Sequence, residues 1–287
     1  MRYIKPNSVK EAVDILSSEK GITRILAGGT DVLVQMKSGF LEPDTIVDIK
    51  NIPGIREISR KNDGYEIGAA VSGSELNDNL ELKNFAPGIS EAFSLIGSTQ
   101  IQGRCTMVGN LCNASPAGDC IPALIASNAK VNVCGVNGSR VCNVSEIPIG
   151  PGKTSLKKGE FIKSIFIPSR PKFSSDAYLR FIPRTEMDIA IVSAGVFITI
   201  DQNDICQNVR IALGAVAPTV ILAEEAGRLL IGSKLDEDAL SKMSKKCSSL
   251  CKPIDDKRGT KEFRTHVSGV LAKRSALLAY NRAREGK

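Results

Sequence analysis

Two short stretches of this chain have the residue types to hold an anion. The first is Gly28-Gly29-Thr30-Asp31, where a short strand-like run, Ile22 to Ala27, hands over to a helical pattern, Val32 to Lys37. Glycine there permits positive φ and a close backbone approach to a ligand. A helix start adds unpaired N–H groups and partial positive charge, which suit phosphate oxygens. The second stretch runs from Thr106 to Asp119 and packs small residues, amides and hydroxyls into 14 positions between apolar flanks. Such a loop can aim several donors at an anion, and Asp119 can accept hydrogen bonds from ribose hydroxyls. Each loop alone has a plainer reading, a tight turn or a segment stitched by Asn and Ser. Together they fit a pyrophosphate held from two sides.

Other signatures fail on spacing. Asp48 stands 20 residues beyond Gly28 at a strand end, where a dinucleotide fold places its ribose-binding acid. That fingerprint requires glycine at positions 30 and 33, and the chain has Thr30 and Leu33. In Gly150-Pro151-Gly152-Lys153-Thr154 a single residue separates the glycines, too few for a P-loop. The eight cysteines include no Cys-x-x-Cys pair, and the single histidine, His266, cannot complete a common zinc site. Cys105, Cys112 and Cys120 leave an iron–sulfur site as an alternative, while buried thiols in a reducing compartment are the simpler reading. His266 lies four residues from Glu262 in a charged helix, the setting of a surface side chain rather than a catalytic base.

The elements that would position these loops follow from periodicity. Ser8 can cap a helix with Val9, Ala12, Val13 and Leu16 on one face, Glu11 completing a capping box and Gly21 ending it. Strands at Ile22–Ala27 and Thr45–Ile49 flank the Val32–Lys37 helix, which Gly39 stops, suggesting a crossover with parallel strands. Tyr65–Val71 alternates as a strand, with helices expected at Ser74–Asn79, Ile89–Ile96 and Ile121–Ser127 around a turn-rich Gly97–Asp119. Strands follow at Ala129–Val133 and Phe161–Ile167, then a Pro/Ser-rich linker at 168–175. Beyond it come three strands, Ala177–Ile182, Ile189–Thr199 and Asn208–Ala215, and helices at Val220–Ile231, Glu237–Cys251 and Lys261–Arg284.

At 287 residues, 42% hydrophobic and 24% charged, the chain has the proportions of a globular protein with room for more than one domain. Its longest nearly apolar run, Ile189–Ile200, is too short to span a bilayer, and no targeting segment is visible, so no membrane insertion and a cytoplasmic location are expected. Residues 241–287 carry 13 Lys/Arg against 4 Asp/Glu, leaving the first 240 with a balance of −2. A basic end can serve nucleic acid or an acidic partner. With aromatics at 5% and no Trp, no stacking platform stands out, and nucleic-acid binding is disfavoured.

The segments Ile25–Val32 and Val108–Pro116 with Asp119 resemble the FAD-binding subunits of the molybdenum hydroxylases, the family of xanthine dehydrogenase and aerobic carbon monoxide dehydrogenase. Gly150–Thr154, Gly159-Glu160, Arg184 with Met187–Ala190, and Lys261–Arg264 follow in the family's order, so the resemblance runs essentially end to end. It implies an α+β chain with a two-subdomain FAD-binding fold of the vanillyl-alcohol-oxidase type over residues 1–173, divided into about 1–57 and 58–173. Residues 174–287 would form a C-terminal α+β domain, a three-stranded antiparallel sheet with helices.

By position, the resemblance implies that Ile25, Leu26, Ala27, Gly28, Gly29, Thr30, Asp31 and Val32 wrap the pyrophosphate of FAD. Thr106, Gly109 and Asn110 would hold it from the other side, Asp119 would bind farther along, and Ile96, Ile162 and Arg180 would line the flavin. Val108 departs from the family's usual glycine, which would weaken binding if that position needed positive φ or close contact with the phosphate. Arg180 replaces a frequent lysine, keeping the charge with a fixed planar geometry.

The function implied is an electron-transfer subunit without a protein nucleophile. A 2Fe-2S small subunit, fed by a molybdopterin large subunit, would supply electrons that FAD passes to NAD⁺ or another acceptor, in a dimer of heterotrimers. Two rivals stand beside it: a self-contained flavin-dependent oxidoreductase acting on a small molecule, and a scaffold subunit that has lost FAD.

Overall fold

The computed structural model describes residues 1–286. The chain opens with β1 (Arg2–Ile4), α1 (Val9–Ser18), β2 (Thr23–Leu26), α2 (Val32–Lys37) and β3 (Thr45–Asp48), and β3 lies between β1 and β2, parallel to both. Ser8 caps α1, its Oγ accepting from the Glu11 N–H at 3.1 Å. The other half of the expected capping box slips by one residue, because Glu11 accepts from the Asn7 N–H at 2.8 Å. The helix stops at Ser18, so Gly21 does not end it. Instead a Cβ on Gly21 would overlap the Asp44 carboxylate, which accepts from the Ile22 N–H at 2.7 Å. Gly39, at φ +72°, follows α2 as a left-handed stop.

After β4 (Ile58–Lys61) and β5 (Gly64–Gly68) comes a run of short helices: α3 (Gly73–Asn77), α4 (Leu80–Phe85), α5 (Pro87–Ser94), α6 (Thr99–Gln102), α7 (Met107–Asn113) and α8 (Cys120–Ala126). Strands β6 (Lys130–Gly135) and β7 (Gly138–Asn143), the small hairpin β8 (Pro148–Gly150) and β9 (Lys153–Thr154), and β10 (Phe161–Pro168) follow. An antiparallel sheet forms in the order β4-β5-β10-β6-β7. The segment 97–119 is therefore not one long turn-rich loop. Thr106 supplies the cap that starts α7 within it, and burial of Met107, Val108 and Leu111 holds the helix in place.

The rest of the chain is β11 (Ser174–Phe181), β12 (Val192–Ile200), β13 (Cys206–Gly214), β14 (Ile221–Leu222), α9 (Glu224–Arg228), α10 (Glu237–Leu250) and α11 (Lys261–Glu285). The expected three-stranded sheet has a fourth strand. Ile221 and Leu222 pair with Leu213 and Ala212, and this pairing takes the start of the helix expected over 220–231. The carbonyl of Ile211 accepts from the Ala223 N–H at 2.8 Å, which extends that pairing to the edge of α9.

Helices α5 and α8 lie against this four-stranded sheet along a seam of missing side chains. A Cβ on Gly88 would come within 2.8 Å of the Ala177 backbone, and one on Gly195 within 2.6 Å of the Pro122 backbone. Polar groups close the same seam. Arg170 pairs with Asp176 at 2.7 Å, both side chains buried, and its guanidinium lies 5.2 Å from the Phe85 ring and 5.3 Å from that of Phe197. Arg210 donates to the Ile125 and Ala126 carbonyls at 3.0 and 3.1 Å, capping the C-terminal end of α8.

The basic end is largely neutralised. Lys242 pairs with Asp238, Lys246 with Glu225, Lys261 with Asp255, Arg264 with Asp256, Lys273 with Glu237, Arg282 with Glu91 and Arg284 with Asp204. No helix among the described residues is long and apolar enough to cross a membrane.

Candidate functional site

The two glycine-rich segments, some 75 residues apart in the sequence, lie against each other. Strand β2 carries Ile25 and Leu26 up to the turn at Ala27–Asp31, and α2 begins at Val32. Gly28 sits directly on the backbone that leads into the second segment: a Cβ there would overlap the Arg104 carbonyl oxygen. Gly29 has φ +83°, the left-handed conformation that favours glycine, and its carbonyl accepts from the Leu33 N–H at 3.1 Å. Side chains bridge the segments as well. Asn113 donates to Asp31 Oδ1 at 3.4 Å and accepts from Gln35 at 3.3 Å. Burial pushes the Asp31 carboxyl up.

In the second segment the Thr106 Oγ1 accepts from the Gly109 N–H at 2.9 Å. The first-turn amides of α7 at Met107 and Val108 have no intrahelical acceptor, as at any helix start. Val108 is right-handed and buried, so the position makes no demand for glycine's positive φ. Asn110 turns its Oδ1 to the Cys120 N–H at 3.3 Å, tying α7 to the start of α8. The Gly150–Thr154 turn braces the far end of α7, where the Gly152 N–H donates to the Ala114 carbonyl at 3.0 Å.

Asp119 and Arg180, 61 residues apart, meet in an ion pair at 2.8 Å, with side chains 11% and 5% exposed. The Tyr178 hydroxyl donates to the other carboxylate oxygen at 2.7 Å. Burial pushes the Asp119 carboxyl up to about 6, and the bonds from Arg180 and Tyr178 offset only part of that cost. Both Asp119 oxygens are thus engaged by protein, where the sequence suggested acceptors for ribose. The Arg180 Nε is buried with no partner among the described residues.

The remaining candidates are more dispersed. Ile96 follows α5, partly buried, and its carbonyl accepts from Gln102 Nε2 at 3.3 Å. Ile162 is buried in β10, opposite Val133. Asp48 is occupied by Lys50 at 2.7 Å and by the Tyr3 hydroxyl, and Lys50 also donates to the Ala27 carbonyl at 3.2 Å beside the first turn. His266 is exposed on α11. Burial raises the Cys105 thiol to about 11 and the Cys112 thiol to about 12. No group of three or more His, Cys, Asp or Glu side chains among the described residues is arranged to hold a metal ion.

Two elements of the site gave no clear signal in the sequence. Tyr178 read only as one residue of a strand. Arg264, inside a recognisable motif, proves to be a buried clamp, donating to the Ile191 carbonyl at 2.7 Å and to Asp256 at 2.7 Å. It holds the start of β12, at the end of the loop that leaves β11 just past Arg180.

Residues 1–170 match the family described as the FAD binding domain in molybdopterin dehydrogenase, and residues 177–279 match the CO dehydrogenase flavoprotein C-terminal domain. The chain is 32% identical over 283 residues to the carbon monoxide dehydrogenase medium chain of Afipia carboxidovorans, covering 98% of this chain and 97% of that one. It is 28% identical to the xanthine dehydrogenase FAD-binding subunit of Escherichia coli O157:H7, covering 95% and 93%. The crystal structure of the cyanide-inactivated Cu,Mo-CO dehydrogenase superposes with a TM-score of 0.94 at 31% identity, over 98% of each chain.

Proposed function

Because this chain belongs to the FAD-binding medium subunits of the molybdenum hydroxylases, oxidoreductase complexes whose cofactor here is FAD, we propose that it is the electron-transfer subunit of such a complex. Electrons arrive from a 2Fe-2S small subunit fed by a molybdopterin large subunit, and leave to NAD⁺ or another acceptor. The working unit on this reading is a cytoplasmic dimer of heterotrimers. Bound FAD supplies the redox chemistry, exchanging single electrons on one side and pairs on the other.

The observation that carries this reading is the seat of Gly28 on the Arg104 carbonyl. It brings two helix starts together where backbone amides can face one pyrophosphate. Gly28 and Gly29 leave room for the cofactor's approach, and Thr30 to Val32 contribute first-turn amides. Thr106 shapes the opposing turn, and Asn110 locks it to α8. The buried Arg180 Nε is a donor in want of an acceptor, which fits a flavin edge. Asp119 acts in this scheme by holding Arg180. Because Val108 is helical, the scaffold reading keeps one ground, that valine stands where the phosphate needs close approach.

A visible spectrum of the purified chain, with the released cofactor identified after denaturation, tests the assignment. About one equivalent of FAD is expected. A chain that neither carries flavin nor takes it up on addition overturns the two-loop site. In the assembled complex, substrate should bleach the flavin band and NAD⁺ should restore it; restoration by oxygen or a quinone instead identifies the acceptor.

A further inference from the structure

The cluster around Asp119 contains a side chain with no role so far. Tyr178 is buried in β11 and precedes Arg180 by two positions, so both side chains leave the strand on the same face. Both converge on one carboxylate from a different part of the chain, at the start of α8. Tyr178 is itself fixed at its backbone, where its N–H donates to Glu91 Oε2 at 3.0 Å, and Glu91 pairs with Arg282. The result is a chain of fixed groups ending in a guanidinium whose Nε is buried and unpartnered. Arg170 Nε is likewise unpartnered, but it lies in the interior seam, whereas Arg180 stands at the candidate site, where a group the protein does not supply can meet its donor.

We propose that Tyr178 is a positioning residue of the flavin site, acting through Asp119 to set the orientation and effective charge of Arg180 toward FAD. The inference rests on the reading of Arg180 as a flavin-side residue. Its physical basis is competition for one carboxylate. The phenol O–H draws on the negative charge of Asp119, which then neutralises Arg180 less completely. Without the phenol, the whole carboxylate turns to Arg180, and the positive potential available to a neighbouring flavin falls. Positive charge near the flavin favours its reduced, anionic form, so this potential sets how readily the cofactor accepts electrons.

The test uses the full-length chain loaded with FAD as wild type, Tyr178→Phe, Arg180→Met and the double variant. Flavin affinity is measured by fluorescence titration, and midpoint potential by equilibration with a reference dye. Tyr178→Phe should weaken FAD binding by about three- to tenfold, the range of one ordinary hydrogen bond, and lower the flavin potential. Arg180→Met should lower the potential further, and the double variant should match Arg180→Met alone. A Tyr178→Phe chain that only melts earlier, with unchanged flavin potential, overturns the proposal. So does a Tyr178→Phe shift that persists in full when Arg180 is absent. If Tyr178→Phe fails to fold, Asp119→Asn tests the coupling through which Tyr178 must act: removing the carboxylate charge should raise the potential, and an unchanged value overturns the scheme. Wild-type chain that takes up no FAD would instead overturn the underlying site, which keeps the two failures apart.

Discussion

Helix α2 buries none of its residues, with Leu33 48% and Val34 64% exposed, whereas Met107, Val108 and Leu111 of α7 all lie in the core. These are the two arms of the candidate pyrophosphate site. The α7 arm is held by a threonine cap, by Asn110 and by core packing. The α2 arm is attached through a backbone contact at Gly28 and a few polar bridges from Asp31 and Gln35. The α7 arm is thus fixed by the core, and the α2 arm by fewer, more local contacts.

The buried side of this contrast can be broken behind α7, where α8 packs on β12. Gly195→Val would drive a branched side chain into the Pro122 backbone and should destabilise the chain by about 3 kcal/mol or more, read by denaturant unfolding. Tolerance of valine there would mean that the buried side is softer than its packing implies.

The next effect is pH-dependent. Asp119 is raised to about 6 from an ordinary 3.8, so between those values the folded chain binds a proton that the unfolded chain does not. Its contribution to stability therefore rises as pH falls from about 6 toward 4, and the full burden of the ionised form remains above 6. Relative to Asp119→Asn, the wild type should gain up to about 3 kcal/mol across that window. Depressed carboxylates such as Asp48, Glu160 and Asp256 pull the other way in both proteins, so unfolding must be compared between the two chains.

Gly28→Ala should cost about 2 kcal/mol by pushing the arms apart, and FAD uptake should fall at least tenfold in a titration. An alanine chain with normal affinity would separate the seat from the site. Thr106→Ala removes a cap and should cost about 1 kcal/mol in thermal or denaturant unfolding. The smallest effect sharpens the contrast from the exposed side: Val34→Ala should change stability by less than about 0.5 kcal/mol.

Much of the α2 arm was legible from sequence because its determinants are local. A strand run, two glycines, a helical stretch and Gly39 all fall within about 20 residues. The α7 arm was not legible as a helix. Met107–Asn113 contains a glycine, two asparagines and a cysteine, poor helix formers that owe their conformation to Thr106 and to burial. Strand β14 was missed for the same kind of reason, since two residues become a strand only when β13 lies beside them. The Asp119–Tyr178–Arg180 cluster depends on contacts across some 60 residues that no local pattern encodes. The charge excess at the C-terminal end was visible in the sequence, but the acids that neutralise much of it lie partly elsewhere, at Glu91, Asp204 and Glu225.

The seam between α5, α8 and the four-stranded sheet bears on how such proteins can be recombined. Complementarity there is written in absent side chains: Gly88 admits Ala177, and Gly195 admits Pro122. The hydrophobic core formed by residues 12–167 also takes in Tyr178, Phe197 and Ala212 from the sheet. A C-terminal half taken from a relative would therefore have to bring its own glycine at position 195 and meet one at position 88. A graft lacking either would meet backbone where it needs space, however well its surface matched.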